Sequence, residues 1–217
     1  MKIKSLRLAL QTAILAIVFV VAGRTQHANT ATFSEQDLQA KIGYCTDCHQ
    51  PSGQGFLQGS SPIPRLAGQQ TQYFENQLKA FIERRRVNAF MFKVSHSLDP
   101  DMLPALAKHF NELNPKPVGG APGELADAGK KIFEGGIPGA NVPPCASCHG
   151  PEAKGNGQFP RLAGQIYPYI IKVLENWEKE RGQDPAHPDT SAIMEPIAHG
   201  LNESQIKAVA AYLSSLE

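Results

Sequence analysis

The 217-residue chain predicts an all-α fold made by tandem duplication of one small helical domain. Three observations carry that reading. The hexapeptide Pro64-Arg65-Leu66-Ala67-Gly68-Gln69 recurs unchanged as Pro160-Arg161-Leu162-Ala163-Gly164-Gln165, at an offset of 96 residues, and self-similarity of this kind marks a repeated structural unit. Near the end of each half an apolar stripe repeats as well. Leu103, Leu106, Phe110 and Leu113 return as Ile206, Val209, Leu213 and Leu216, spaced three, four and three apart as one buried helical face requires. No run alternates apolar and polar residues with the period of two that a half-buried strand needs.

The elements follow in order. Residues 1–23 read as a secretory signal. Lys2, Lys4 and Arg7 precede a mostly apolar run from Leu8 to Val21, and cleavage sites lie around Ala22-Gly23 or Ala28 to Ala31. The run is short for a membrane span and Gln11 interrupts it, so an uncleaved N-terminal anchor is the lesser alternative. The first half starts at Ser34-Glu35-Gln36-Asp37, which resembles a capping box ahead of Leu38 and Ile42. Residues 69–84 and 165–181 supply a central helix in each half. Asp99 before Pro100, and Asn202 before Glu203, are N-cap and first-turn residues for the two final helices. Pro104 removes a donor early in the first of these and predicts an irregular start. In the second half, residues 124–134 carry Leu125, Ala128, Ile132 and Phe133 before Gly135-Gly136 ends the helix. The Pro/Gly-rich stretch 114–123 is a linker between domains at 33–113 and 124–217. Domains of this size have marginal polypeptide cores, so each needs another apolar body to complete it.

All four cysteines fall in two copies of Cys-x-x-Cys-His, Cys45-Thr46-Asp47-Cys48-His49 and Cys145-Ala146-Ser147-Cys148-His149. This pentapeptide is the attachment signature of c-type haem: two thiols add across two porphyrin vinyl groups, and the histidine lies beneath the iron. Zinc usually takes four Cys/His ligands with a second close pair, and each pair here has only its own histidine. A thioredoxin-type pair would follow a strand in a βαβ pattern, which is missing. Disulfides would not explain a histidine after both pairs. Two covalently held haem c groups are therefore expected, through Cys45 and Cys48, and through Cys145 and Cys148.

His49 and His149 are the expected proximal ligands. A thioether is the usual partner opposite histidine in such sites. Apart from Met1, the chain has only Met91, Met102 and Met194. Met91 and Met194 are equivalent at an offset of 103, whereas Met102 has Gln205 at its equivalent position. The repeat selects Met91 and Met194 as distal ligands. His96 and His199 share the same offset and form the rival, bis-histidine pair. His27, His109 and His187 have no counterpart in the other half.

The repeated hexapeptide has a chemical reading too. A metal-bound imidazole normally donates its other N–H to an acceptor, and the carbonyls of Pro64 and Pro160 are candidates. Leu66 and Leu162 would pack on the porphyrin, and Arg65 and Arg161 would pair with its propionates. Residues 1–32 hold four of the 21 basic residues and none of the 20 acids, so 17 face 20 from Phe33 onward, a net of −3. That balance excludes the strongly basic face of a nucleic-acid binder. The one dense cluster, Arg84-Arg85-Arg86, reads as a solvated helix end.

With Cys-x-x-Cys-His, Pro-Arg-Leu-Ala-Gly-Gln and a following methionine each occurring twice in that order, the chain resembles the dihaem cytochrome c4 family over essentially everything after residue 32. The resemblance implies two class I cytochrome c domains related by pseudo-twofold symmetry, with haems near the interface and His–Met ligation in both. It implies a periplasmic electron carrier in a respiratory chain, serving partners such as a quinol-oxidising complex and a terminal oxidase, with peripheral membrane association as an option. Two features depart from the expected pattern: His109 stands where Tyr212 stands in the second half, and 181–192 is a polar, Pro-containing extension. The alternative is a dihaem electron-accepting subunit of a dehydrogenase, as in flavocytochrome sulfide dehydrogenases. A dihaem enzyme such as a peroxidase or thiosulfate dehydrogenase would need an open iron position, against which the matched methionines speak.

Overall fold

The computed structural model describes residues 33–58, 61–119, 121–181 and 190–217. The secretory-signal reading, His27, His187 and most of the 181–192 extension lie outside the described residues. Phe33–Glu217 forms one compact unit. Its first half runs α1 (Glu35–His49), a hairpin β1 (Phe56–Gln58) and β2 (Ser61–Ile63), α2 (Thr71–Ile82), α3 (Ala89–His96) and α4 (Leu103–Glu112). The second runs α5 (Ala126–Gly135), α6 (Ala146–His149), α7 (Tyr167–Glu175), α8 (Trp177–Arg181), α9 (Met194–His199) and α10 (Glu203–Ser215). No helix among the described residues is long and apolar enough to cross a membrane.

Local sequence explains most boundaries. Ser34 and Asp37 form a reciprocal capping box at the start of α1, with both backbone bonds at 3.1 Å. Asn202 and Gln205 form another at α10, at 2.9 and 3.0 Å. Each satisfies two donors that a helix start otherwise leaves unpaired. Pro104 is absorbed as its position predicts. Pro100–Met102 makes a 3-10 turn, and α4 begins at Leu103, so the missing N–H falls in the first turn, where it would have no helical partner. On the final helices Leu103, Leu106, Phe110, Ile206, Val209 and Leu213 are all buried, as their spacing predicts.

Three features differ from expectation. Residues 56–63 form a short antiparallel hairpin with Phe56 opposite Ile63 and Gln58 opposite Ser61; strands of three residues are too short to show a period. The second half reduces this hairpin to one bridge, Asn156 with Phe159, which accounts for the repeat offset falling from 100 at the cysteines to 96 at the hexapeptide. The second central helix breaks at Asn176, whose φ and ψ are −127° and 40°. Its side chain donates to the Lys172 carbonyl, while its own carbonyl accepts from Glu180 at 2.8 Å and starts α8. Finally, the halves open differently. In the first, α1 runs straight into Cys45–His49, whereas in the second a loop pinned by the Ile137–Val142 bridge separates α5 from α6.

That loop frees α5 to lie along α10 over most of its length, while α1 touches α4 only locally. The α5–α10 crossing is close enough that a Cβ on Gly129 would stand 2.0 Å from the Ala208 carbonyl oxygen. The core of the first half gathers Ile42, Phe74, Leu78, Met102, Leu103, Leu106 and Phe110, with Cys45, Leu66 and Met91 packed against it. In the second, Phe133, Ile170, Val209 and Leu213 receive Cys145 and Leu162, and a smaller cluster of Val173, Trp177 and Ala198 receives Met194.

Gln50 is held where its side chain is disfavoured. Gln50, which ends α1, has φ 70° and ψ 152°, a region populated almost only by glycine; the second half has Gly150 there, at φ 77°. Gln50→Gly is expected to stabilise the protein by about 1 kcal/mol, the released strain exceeding the added unfolded-state entropy. Denaturant unfolding of the holoprotein checks it.

Candidate haem sites and the interface between them

Each Cys-x-x-Cys-His lies on a helical turn, at the end of α1 and across α6. Helical spacing puts thiols three residues apart on one face. All four cysteines are free, Cys148 being exposed and the others half-buried. Burial pushes the Cys45 thiol up to about 11, opposed by nearby Lys41, and burial likewise raises Cys145. These positions suit uncharged sulfur, which a thioether is.

His49 and His149 are buried, at 8% and 4% exposure. His49 Nδ1–H donates to the Pro64 carbonyl at 2.8 Å, and His149 Nδ1–H to the Pro160 carbonyl at 2.9 Å. A carbonyl only accepts, so the proton sits on Nδ1 in both rings and the Nε2 lone pair is left for a metal. Burial holds both imidazoles below the ordinary histidine value, with Arg86 adding repulsion at His49 and the carbonyl bonds opposing the shift. The neutral, ligating form is therefore favoured. The carbonyl reaches each ring because the loop folds back tightly. Gly55 N–H donates to the His49 carbonyl at 3.0 Å, and Gly155 N–H to that of His149 at 2.8 Å. A Cβ would meet the Ile63 oxygen at 2.3 Å at Gly55, and the Phe159 oxygen at 2.4 Å at Gly155.

Met91 lies in α3 and Met194 opens α9, both half-buried. Met102 is 3% exposed within the first-half core. His96 and His199 are exposed on the surface: the first stacks on Phe92 at 5.4 Å, and the second pairs with Glu178. Leu66 and Leu162 are half-buried against the two cores.

Arg65 and Arg161 are buried where the halves meet. Arg65 Nε donates to the Ala67 carbonyl at 3.0 Å and Nη1 to that of Pro115 at 3.0 Å, while Arg161 Nε donates to that of Ala163 at 3.1 Å. Burial, with repulsion from Arg161, pulls Arg65 down to about 10. Arg65 Nη2 and Arg161 Nη2 are buried with no acceptor among the described residues. Buried donors of this kind normally have partners, and a carboxylate between the halves would satisfy them. The site thus fits a porphyrin whose propionates reach the interface.

The final residue of each hexapeptide crosses that interface. Gln165 Oε1 accepts from the Arg65 N–H at 2.7 Å, and Gln165 Nε2 donates to the Arg65 carbonyl at 3.1 Å. Gln69 makes the same two bonds to Arg161, again 2.7 and 3.1 Å. Sequence reasoning gave neither glutamine a role, although both stand in the repeated motif. The solvated reading of Arg84-Arg85-Arg86 also fails at its last member. Arg86 is half-buried and donates to Gln77 Oε1 at 2.9 Å and to the hydroxyl of Tyr169, from the other half, at 2.7 Å. Arg181 donates to the same Gln77 oxygen at 2.8 Å.

The cytochrome c family model matches residues 126–217. Cytochrome c4 of Thiocapsa roseopersicina is 37% identical over 80% of this chain and 88% of its own. A thiosulfate dehydrogenase electron acceptor of Thiomonas intermedia is 33% identical over 79% and 77%. The solved cytochrome c4 of Acidithiobacillus ferrooxidans superimposes with a TM-score of 0.65 at 36% identity, covering 80% of this chain and 99% of that one. With the two covalent attachment motifs and the duplicated histidine geometry, these relationships place the chain in the cytochrome c4 family, as an electron-transfer protein carrying two haem c groups.

Proposed function

We propose that the two haems are held by Cys45 and Cys48 with His49 and Met91 as axial ligands, and by Cys145 and Cys148 with His149 and Met194. The observation that carries this is the duplicated bond from His Nδ1 to a proline carbonyl, which leaves Nε2 of both rings for iron. Haem c supplies a one-electron iron couple. The protein groups do the rest. His49 and His149 present neutral imidazole, Leu66 and Leu162 keep water from the porphyrin, and Arg65 and Arg161 offer Nη2 to propionates.

With His49 and Met91, and His149 and Met194, holding the two irons, neither would have a position left for substrate, and the haems would supply electron transfer alone. The reduced full chain is expected to bind carbon monoxide far below one per haem and to turn over neither peroxide nor thiosulfate alone. It should still exchange electrons rapidly with a redox partner. Fast stoichiometric carbon monoxide binding together with turnover would overturn the carrier reading.

The proposal extends to organisation and setting. Residues 1–23 direct export, 33–113 and 124–217 are the two haem domains joined by 114–123, and the mature protein works in the periplasm. There it carries electrons from a quinol-oxidising complex to a terminal oxidase. A second reading draws on the similarity to the Thiomonas electron acceptor: a dedicated acceptor for a dehydrogenase. Purification from membrane and periplasmic fractions separately distinguishes them, because a co-purifying dehydrogenase subunit supports the second and an oxidase or quinol-oxidising complex the first.

A further inference from the structure

The bonds across the interface join the bonds that hold the histidines. Pro64 C=O and Arg65 N–H belong to one peptide group. Its oxygen accepts from His49 Nδ1–H at 2.8 Å, and its N–H donates to Gln165 Oε1 at 2.7 Å. The second half mirrors this through the Pro160–Arg161 peptide, between His149 at 2.9 Å and Gln69 at 2.7 Å. Each chain is thus imidazole, one peptide, then a glutamine from the opposite half. His49, Arg65, Gln69, His149, Arg161 and Gln165 are all 4–8% exposed, so water does not compete and the groups polarise one another. Each glutamine is itself fixed: Gln165 Oε1 also accepts from Ile166 N–H at 3.0 Å, and Gln69 Oε1 from Gln70 N–H at 2.9 Å.

We propose that Gln165 and Gln69 are positioning residues that set electron donation by the opposite half's proximal histidine, so that each haem's potential depends on how its half is seated on the other. The proposal rests on the reading of His49 and His149 as axial ligands. An amide whose N–H donates has a more negative oxygen. Pro64 O then pulls harder on His49 Nδ1–H, the ring becomes a stronger donor, and ferric iron is favoured. Removing the acceptor at 165 therefore raises the potential of the His49 haem. An anionic acceptor there lowers it.

The test uses the full-chain holoprotein in redox titrations. Met91→His and Met194→His, each lowering its own wave, assign the two haems. Gln165→Leu is expected to raise the His49 haem's potential by about threefold in the ferrous-to-ferric ratio, ~28 mV for one electron. The His149 haem should move less. Gln165→Glu should shift the His49 haem the opposite way, and Gln69→Leu should act on the His149 haem. A larger shift in the variant's own half, the same sign for Leu and Glu, or no shift overturns the coupling. If Gln165→Leu does not fold, the direction and location of the Gln165→Glu shift decide alone. If Met91→His moves neither wave, the ligand reading fails and the coupling falls with it. If it moves its wave but Gln165 variants move the wrong haem, only the coupling fails.

Discussion

Met91→His is expected to remove the sulfur-to-iron charge-transfer band of one haem and to lower that haem's potential by a large part of the ~0.8 V range that axial ligands span. Met194→His should do the same to the other haem. Imidazole donates more strongly than a thioether and stabilises ferric iron, whereas thioether ligation raises the potential. Both methionines are half-buried, Met91 against the core that includes Cys45 and Leu66, and Met194 against the cluster of Val173, Trp177 and Ala198. Met102→Leu is the control. Its side chain is 3% exposed among Phe110, Leu106 and Leu78, and a near-isosteric swap in such a core costs under about 1.5 kcal/mol. Spectra and both potentials should stay unchanged. Loss of the band in Met102→Leu would sink the assignment drawn from the repeat.

Gly129→Ala is expected to destabilise the holoprotein by about 3 kcal/mol or more, at the upper end of overpacking costs. The new methyl would stand 2.0 Å from the Ala208 carbonyl oxygen and 2.8 Å from Tyr212 Cβ. The first obstacle is helix backbone, which cannot turn aside, so α5 must lift from α10. Gly43→Ala gives the opposite result. Gly43 lies inside α1 with nothing within 4 Å of a Cβ, and alanine there should add up to about 1 kcal/mol of helix propensity. Thermal or denaturant unfolding of the two variants side by side checks the pair. Equal stabilities would mean that α5 can lift from α10 at little cost.

The features visible in sequence were those with a local cause. Ser34 with Asp37 and Asn202 with Gln205 bind backbone within three residues, so their caps could be read from residue type. The stripe Leu103, Leu106, Phe110 was legible because one helix face repeats at fixed spacing. Pro104 predicted a helix start close by because proline fits only the first turn. The hairpin at 56–63 was not legible, since three residues per strand make no pattern. Nor was the break at Asn176, which depends on a side-chain bond to Lys172 rather than on a glycine or proline. Arg86 misled because a run of three arginines looks solvated until Gln77 and Tyr169 are brought to it. Gln69 and Gln165 meet backbone 92 and 100 residues away, and no periodicity carries that. The unchanged hexapeptide was the one available sign. Its proline carbonyl faces the histidine, and its last residue faces the other half.

The glutamine contacts are isologous: one patch meets a second copy of itself, and each side gives what it receives. In assembly terms the chain is a two-fold dimer whose protomers have been joined end to end. A self-complementary patch is used up when two copies close on each other, so it has no face left on which a third could add. The equivalent parts of the two halves also present related surfaces by the same rotation. Redox partners therefore meet two related surfaces and tell them apart only where the copies have diverged. Arg84 stacked on Phe92 at 4.1 Å and His109 in place of Tyr212 are such places. A preferred direction of electron flow through two related halves needs such departures from symmetry.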